Sequence, residues 1–86
     1  MKIQTVKPLA PFKLYVLAED GRQGIFDLVP YLKYEVFIPL QNPQAFAQVT
    51  HGGYFIEWEC GVDLSADTIE AHWQIEELHF NEEAVI

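Results

Sequence analysis

The sequence predicts a small single α+β domain: an antiparallel sheet of about four strands carrying two short helices. Three observations lead there. Apolar and polar residues alternate along two stretches joined by Asp20-Gly21. Asn42-Pro43 and Ser65 with Asp67 are helix-start signals ahead of apolar residues at helical spacing. A chain of 86 residues is too short for two cores. The expected domain spans residues 1–75, with residues 76–86 as an acidic C-terminal extension.

The elements follow in order. "KIQTVK", residues 2–7, reads as a short first strand closed by Pro8 and Pro11. In "FKLYVLA" Phe12, Leu14, Val16 and Ala18 alternate with Lys13, Tyr15 and Leu17, which gives a strand one buried face. Asp20-Gly21 is a hairpin signal, because glycine supplies the positive φ that such turns need. "GIFDL" returns as the partner strand, with Phe26 and Leu28 facing opposite to Ile25 and Asp27. In "VPYLKYEVFIPL" Pro30 is placed to open a single helical turn, and "EVFIPL" to form a short extended edge segment ended by Pro39.

Asn42 is a suitable N-cap, and Pro43 stands at the first helical position, where its missing N–H costs nothing. "NPQAFAQV" then reads as a short helix, broken by "HGG". "YFIEWE" is the next strand, with Tyr54, Ile56 and Trp58 on one face and Phe55, Glu57 and Glu59 on the other. Gly61 marks a turn and Ser65 a second N-cap. Asp67 and Glu70 sit where the positive end of a helix favours acids. "QIEELHF" fits a continued helix or an extended segment equally well, and "NEEAVI" reads as a terminal tail.

Charge divides the chain. All five basic residues (Lys2, Lys7, Lys13, Arg22 and Lys33) lie within the first 33 positions. Against Glu19, Asp20 and Asp27 they leave that part at +5 − 3 = +2. Residue 34 onward carries the other ten acids with no Lys or Arg, so −10, and the sum is the formal −8. Nucleic-acid binding needs a basic face to displace counterions from phosphates, so a direct nucleic-acid partner is not expected. A basic protein partner is, although a surplus of acid also serves solubility alone. No run approaches the roughly 20 apolar residues of a membrane span, and no signal-peptide pattern opens the chain. A lone cysteine, Cys60, fits a reducing, cytoplasmic setting. Small size and surplus apolar residues point to a homodimer through an edge strand or the C-terminal segment.

The densest polar stretch is "IEWECGVDLSADTIEAHW", Ile56 to Trp73. As a metal site it lacks paired short-spaced ligands, and neither a metal nor a cofactor is expected. As a thiol site it offers Cys60 with His51 or His72, but Glu57, Glu59 and Asp63 disfavour a thiolate. No catalytic residue and no enzyme activity are expected. Glu57 and Glu59, two apart, share a strand face. Together with Trp73, Glu76 and Glu77 they are the candidate binding surface. Asp27, Trp58, Gly61, Asp63 and Ser65 are read as structural. Trp58 faces the core, and the two aspartates are placed to bond free backbone N–H groups of turns or the helix start.

The order of these signals resembles the bacterial family called domain of unknown function 2442. The matching residues are Leu14 and Val16, Asp20-Gly21, Gly24 to Leu28, Pro39-Leu40, and Asn42-Pro43 with Phe46. They continue through Ile56-Glu57-Trp58 and Gly61 to Ser65, with Asp67-Thr68-Ile69. The chain departs from the pattern at Glu59-Cys60 and extends past the usual end. The resemblance implies a small α+β fold without established enzyme activity, and it supplies no catalytic residues to carry over. It also implies a gene arrangement like a toxin–antitoxin pair. The leading expectation is therefore a non-enzymatic protein-interaction module, antitoxin-like toward a basic partner. The alternative is a small-ligand-binding or sensory domain with Tyr54, Trp58 and Trp73 lining a cleft.

Overall fold

Leu14, Val16 and Ala18 are buried while their neighbours are only half so, and this alternation builds the first sheet. In the computed structural model, which describes residues 1–75, β1 (Ile3–Leu9) pairs antiparallel with β2 (Lys13–Ala18). β2 pairs in turn with β3 (Gln23–Asp27), with Leu14 opposite Phe26 and Val16 opposite Gly24. The β2–β3 turn runs from Ala18 to Arg22. Ala18 N–H donates to Arg22 O at 2.8 Å, Gly21 N–H donates to Ala18 O at 3.0 Å, and Gly21 holds φ at 97°. This is a type I turn closed by a glycine in the left-handed region. Pro30 opens a short 3₁₀ turn, Val29–Tyr31, and Asp27 Oδ1 accepts from Val29 N–H at 3.0 Å.

The segment expected to be extended is not. Glu35–Gln41 is a 3₁₀ helix, with Pro39 inside it. An extended chain would have put Val36, Ile38 and Leu40 on one face. Three residues per turn instead turn Phe37 and Leu40 inward together and leave Val36 and Ile38 exposed. Phe37 meets Tyr31 edge-on with ring centroids 6.3 Å apart, and Tyr31 stacks on Phe26, so an aromatic ladder favours the coiled path.

Helix α1 (Pro43–Phe46) starts as its signals dictate, with Asn42 Oδ1 accepting from Gln44 N–H at 2.9 Å. It ends sooner than expected. Val49 belongs to β4 (Val49–His51), opposite Trp58, so His51 is in a strand and Gly52, Gly53 and Tyr54 turn the chain. A β-branched residue prefers that extended setting to a helix end. β5 (Phe55–Trp58) lies between β4 and β6 (Asp63–Ser65), a strand the sequence reading did not place. Ser65 caps α2 (Ala66–His72), its Oγ accepting from Thr68 N–H at 3.1 Å. β7 (Gln74–Ile75) then adds to the free side of β3.

The described residues therefore form two antiparallel sheets, β1-β2-β3-β7 and β4-β5-β6, rather than one sheet of about four strands, and the class is α+β as expected. One core serves both. Leu14, Val16 and Phe26 from the first sheet pack with Ile56 and Trp58 from the second, closed by Leu40, Phe46 and Ile69 from the helical segments. A backbone bond from Ile3 N–H to Gly53 O, 2.6 Å, ties β1 to the β4–β5 turn.

Candidate functional site

Alternation on β5 sends Ile56 and Trp58 into the core and Phe55 and Glu57 outward. Tyr54, expected on the inner face, is 66% exposed, because it precedes the strand. The register then aligns outward residues across the sheet: Glu57 lies between Thr50 on β4 and Asp63 on β6, and Phe55 lies opposite Ser65. Two carboxylates thus stand directly opposite one another on an exposed face, an arrangement that costs stability in a sheet. Glu59 follows just beyond the strand, where its N–H donates to Gln48 O at 3.1 Å. Glu57 and Glu59 border a shallow depression of about 260 Å³ whose other walls include Ala47, Gln48 and Thr50.

The depression is held from behind. Trp58 is buried, and its indole N–H donates to Phe46 O at 2.9 Å, pinning the end of α1 against β5. Gly61, with φ at 102°, closes the β5–β6 turn. Trp58 and Gly61 thus shape the strand and turn behind the depression, and Ser65 caps α2. Asp63 differs: it sits in β6, exposed, and among the described residues its carboxylate accepts no hydrogen bond from a turn or helix N–H. Ser65 takes that work because β6 carries the chain extended up to the cap. Asp63 belongs to the acidic face instead.

The acids around Arg22, at the β2–β3 turn and on α2, are in a different state. Glu70 on α2 accepts from Arg22 Nη1 at 2.8 Å and from the Met1 ammonium at 3.1 Å. Arg22 also holds Asp20, with Nη2 and Nε each 2.9 Å from Oδ2. The Arg22 backbone N–H, and then its guanidinium, hold the Asp20 carboxyl below its ordinary range. The side-chain hydrogen bonds from Arg22 and from the N-terminus do the same for Glu70. Arg22 in turn is raised, chiefly by Glu70. Lys2 approaches Glu19 at 3.9 Å. Among the described residues, none of the ion pairs involves Glu57, Glu59 or Asp63.

The remaining candidates are placed as follows. Trp73 is half-buried and covers Gly24: a Cβ there would come within 2.9 Å of the indole and 2.7 Å of Gln74 O. That makes Trp73 a packing residue, and it explains the glycine in the middle of β3. Glu76 and Glu77 lie outside the described residues. Tyr54, Trp58 and Trp73 occupy three separate settings: exposed surface, core, and the β3 edge. Cys60 is exposed at the tip of the β5–β6 turn. Among the described residues, no three His, Cys, Asp or Glu side chains gather as a metal site would need. No helix among them is long and apolar enough to cross a membrane.

Sequence reasoning missed the Glu57–Asp63 pairing and the Arg22–Glu70 contact. Gly61, four residues after Glu57 and two before Asp63, could have signalled the first, since a glycine-closed turn centred there sets the register. The second joins residues 48 apart, and no local signal marks it. A wider groove of about 530 Å³ beside β3 combines Lys13, Asp27 and His72, a mixed set of charges with no single preference.

No curated protein and no solved structure matches the chain. The family model described as protein of unknown function DUF2442 matches residues 3–74, and the chain belongs to that family.

Proposed function

We propose that the protein is a non-enzymatic interaction module that takes a basic protein partner on the outer face of β4-β5-β6, acting as an antitoxin-like neutraliser in the cytoplasm. One observation carries this reading. Glu57 and Asp63 are held opposite each other, with Glu59 beside them and no cation of the described residues within ion-pair distance. Such an arrangement spends stability that a cationic partner would return. The β2–β3 turn and α2 argue the same point by contrast, because Asp20 and Glu70 there are neutralised internally by Arg22.

Self-association belongs to the same reading. Tyr34, Val36 and Ile38 are between 49% and 61% exposed around one 3₁₀ helix, an apolar patch suited to a second copy. Sedimentation at micromolar concentration separates monomer from dimer.

Co-expression with the product of the neighbouring gene tests the main reading. The expected outcome is a complex that survives at low salt, weakens as salt rises, and is lost in a Glu57→Lys, Asp63→Lys variant. Absence of any complex at low salt would contradict it.

A further inference from the structure

A second depression adjoins the acidic one. It measures about 190 Å³ and is walled by Pro8, Leu9, Pro11, Pro43, Phe46 and Ala47, with no polar side chain in its lining. Ala47, at the end of α1, lines both depressions, so the apolar hollow and the acidic notch share a wall. We propose that the two form one docking groove for an extended segment of a basic protein, with a cationic side chain against Glu57 and Glu59 and an aliphatic side chain in the proline-walled hollow. This deepens the reading above and rests on it.

The occupant follows from chemistry on both sides of Ala47. Glu57, Glu59 and Asp63 lack a cation among the described residues, which specifies the charge of what binds. Leu9 is 40% exposed at the end of β1, and a partner's aliphatic side chain would remove that surface from water. A charged or polar side chain there would find no hydrogen-bonding side chain in the walls.

The groove is also built in advance. Prolines fix the backbone on two of its sides. Asn42 caps α1, Phe12 meets Phe46 edge-on with centroids 5.4 Å apart, and the Trp58 indole holds Phe46 O. A wall fixed by these contacts gives up little freedom when a segment docks, and this is where pre-formed sites gain affinity.

The test uses the full chain and three fluorescein-labelled peptides. The first alternates arginine and leucine with glycine between them, the second replaces each leucine by alanine, and the third replaces each arginine by glutamate. Fluorescence anisotropy at low salt should rank the arginine–leucine peptide about tenfold above the arginine–alanine one, with the glutamate peptide not binding. Leu9→Gln should bring the first peptide down to the level of the second without changing the second. Pro8→Gln, at an exposed position that lines the hollow and not the acidic notch, gives the same readout should Leu9→Gln fail to fold. Equal binding of the two arginine peptides would overturn the groove while leaving the acidic face standing. Binding of the glutamate peptide, or of none of the three, would overturn both.

Discussion

Two hairpins in this molecule share one turn and put it to different use. Ala18 to Arg22 and Trp58 to Val62 close with the same hydrogen bonds. The first residue's N–H donates to the fifth residue's carbonyl at 2.8 Å in both, and the glycine N–H donates back to the first carbonyl at 3.0 and 2.8 Å. Gly21 and Gly61 hold φ at 97° and 102°. The side chains then diverge. In the first turn Asp20 and Arg22 bond each other, and Arg22 reaches Glu70 on α2, so the charge is closed within the fold. In the second turn the corresponding positions are Cys60 and Val62. Val62 is buried, and Glu57, Glu59 and Asp63 are left without a cation among the described residues. One backbone device therefore serves in one place to lock the domain and in the other to display acid.

The largest expected effect is on the second hairpin. Trp58→Ala removes a buried indole and orphans the Phe46 carbonyl, and should cost about 3–5 kcal/mol in denaturant unfolding. A cost as small as that of a surface substitution would mean that β5 does not anchor the acidic face. Next comes a direct test of the shared turn. A Cβ at Gly21 or at Gly61 would meet nothing within 4 Å, so the cost of alanine is conformational at both. Gly21→Ala and Gly61→Ala should each lose about 1–2 kcal/mol and match each other closely. A clear inequality would show that one turn is shaped by its side chains.

Ser65 and Asp63 sharpen the comparison further. Ser65→Ala should cost about 1 kcal/mol as a lost cap. Asp63→Ala should be neutral or slightly stabilising, because it relieves the repulsion opposite Glu57. An Asp63→Ala loss equal to that of Ser65→Ala would restore Asp63 to a capping role.

Acid separates the two regions at still finer scale. Asp20 and Glu70 have folded values below 3.8 and 4.5, their ordinary ones. Their contribution is therefore full above those values and lost as pH falls through the lower folded values. Arg22→Gln should flatten the fall of melting temperature below about pH 4.5. An undiminished fall in the Arg22→Gln variant would move the acid-sensitive contacts away from Asp20 and Glu70.

What the sequence revealed follows from where each signal lives. Asp20-Gly21, Asn42-Pro43 and Ser65 act through their own backbone neighbours, and each does in the fold what its local chemistry requires. Val36 and Ile38, β-branched and ahead of Pro39, suggest an extended segment, whereas the contacts of Phe37 with Tyr31 and the burial of Leu40 decide the path. Val49 was assigned to the helix by its spacing from Phe46, and pairing with β5 won it for a strand. At the candidate site, Glu57 and Glu59 were legible by alternation alone. Asp63 was mistaken for a cap because β6, only three residues long, has no periodicity to announce it. Trp73 was taken for surface because its partner, Gly24, lies far away in sequence.

Acid is displayed on the second sheet and closed by Arg22 between the β2–β3 turn and α2. Titrating the full chain with penta-arginine while following amide shifts by NMR tests it most directly. Salt-sensitive shifts should be confined to Thr50, Glu57, Glu59 and Asp63 and their immediate neighbours, with Asp20 and Glu70 unmoved. Shifts centred on Asp20, Glu19 and Glu70, or none at low salt, would contradict it.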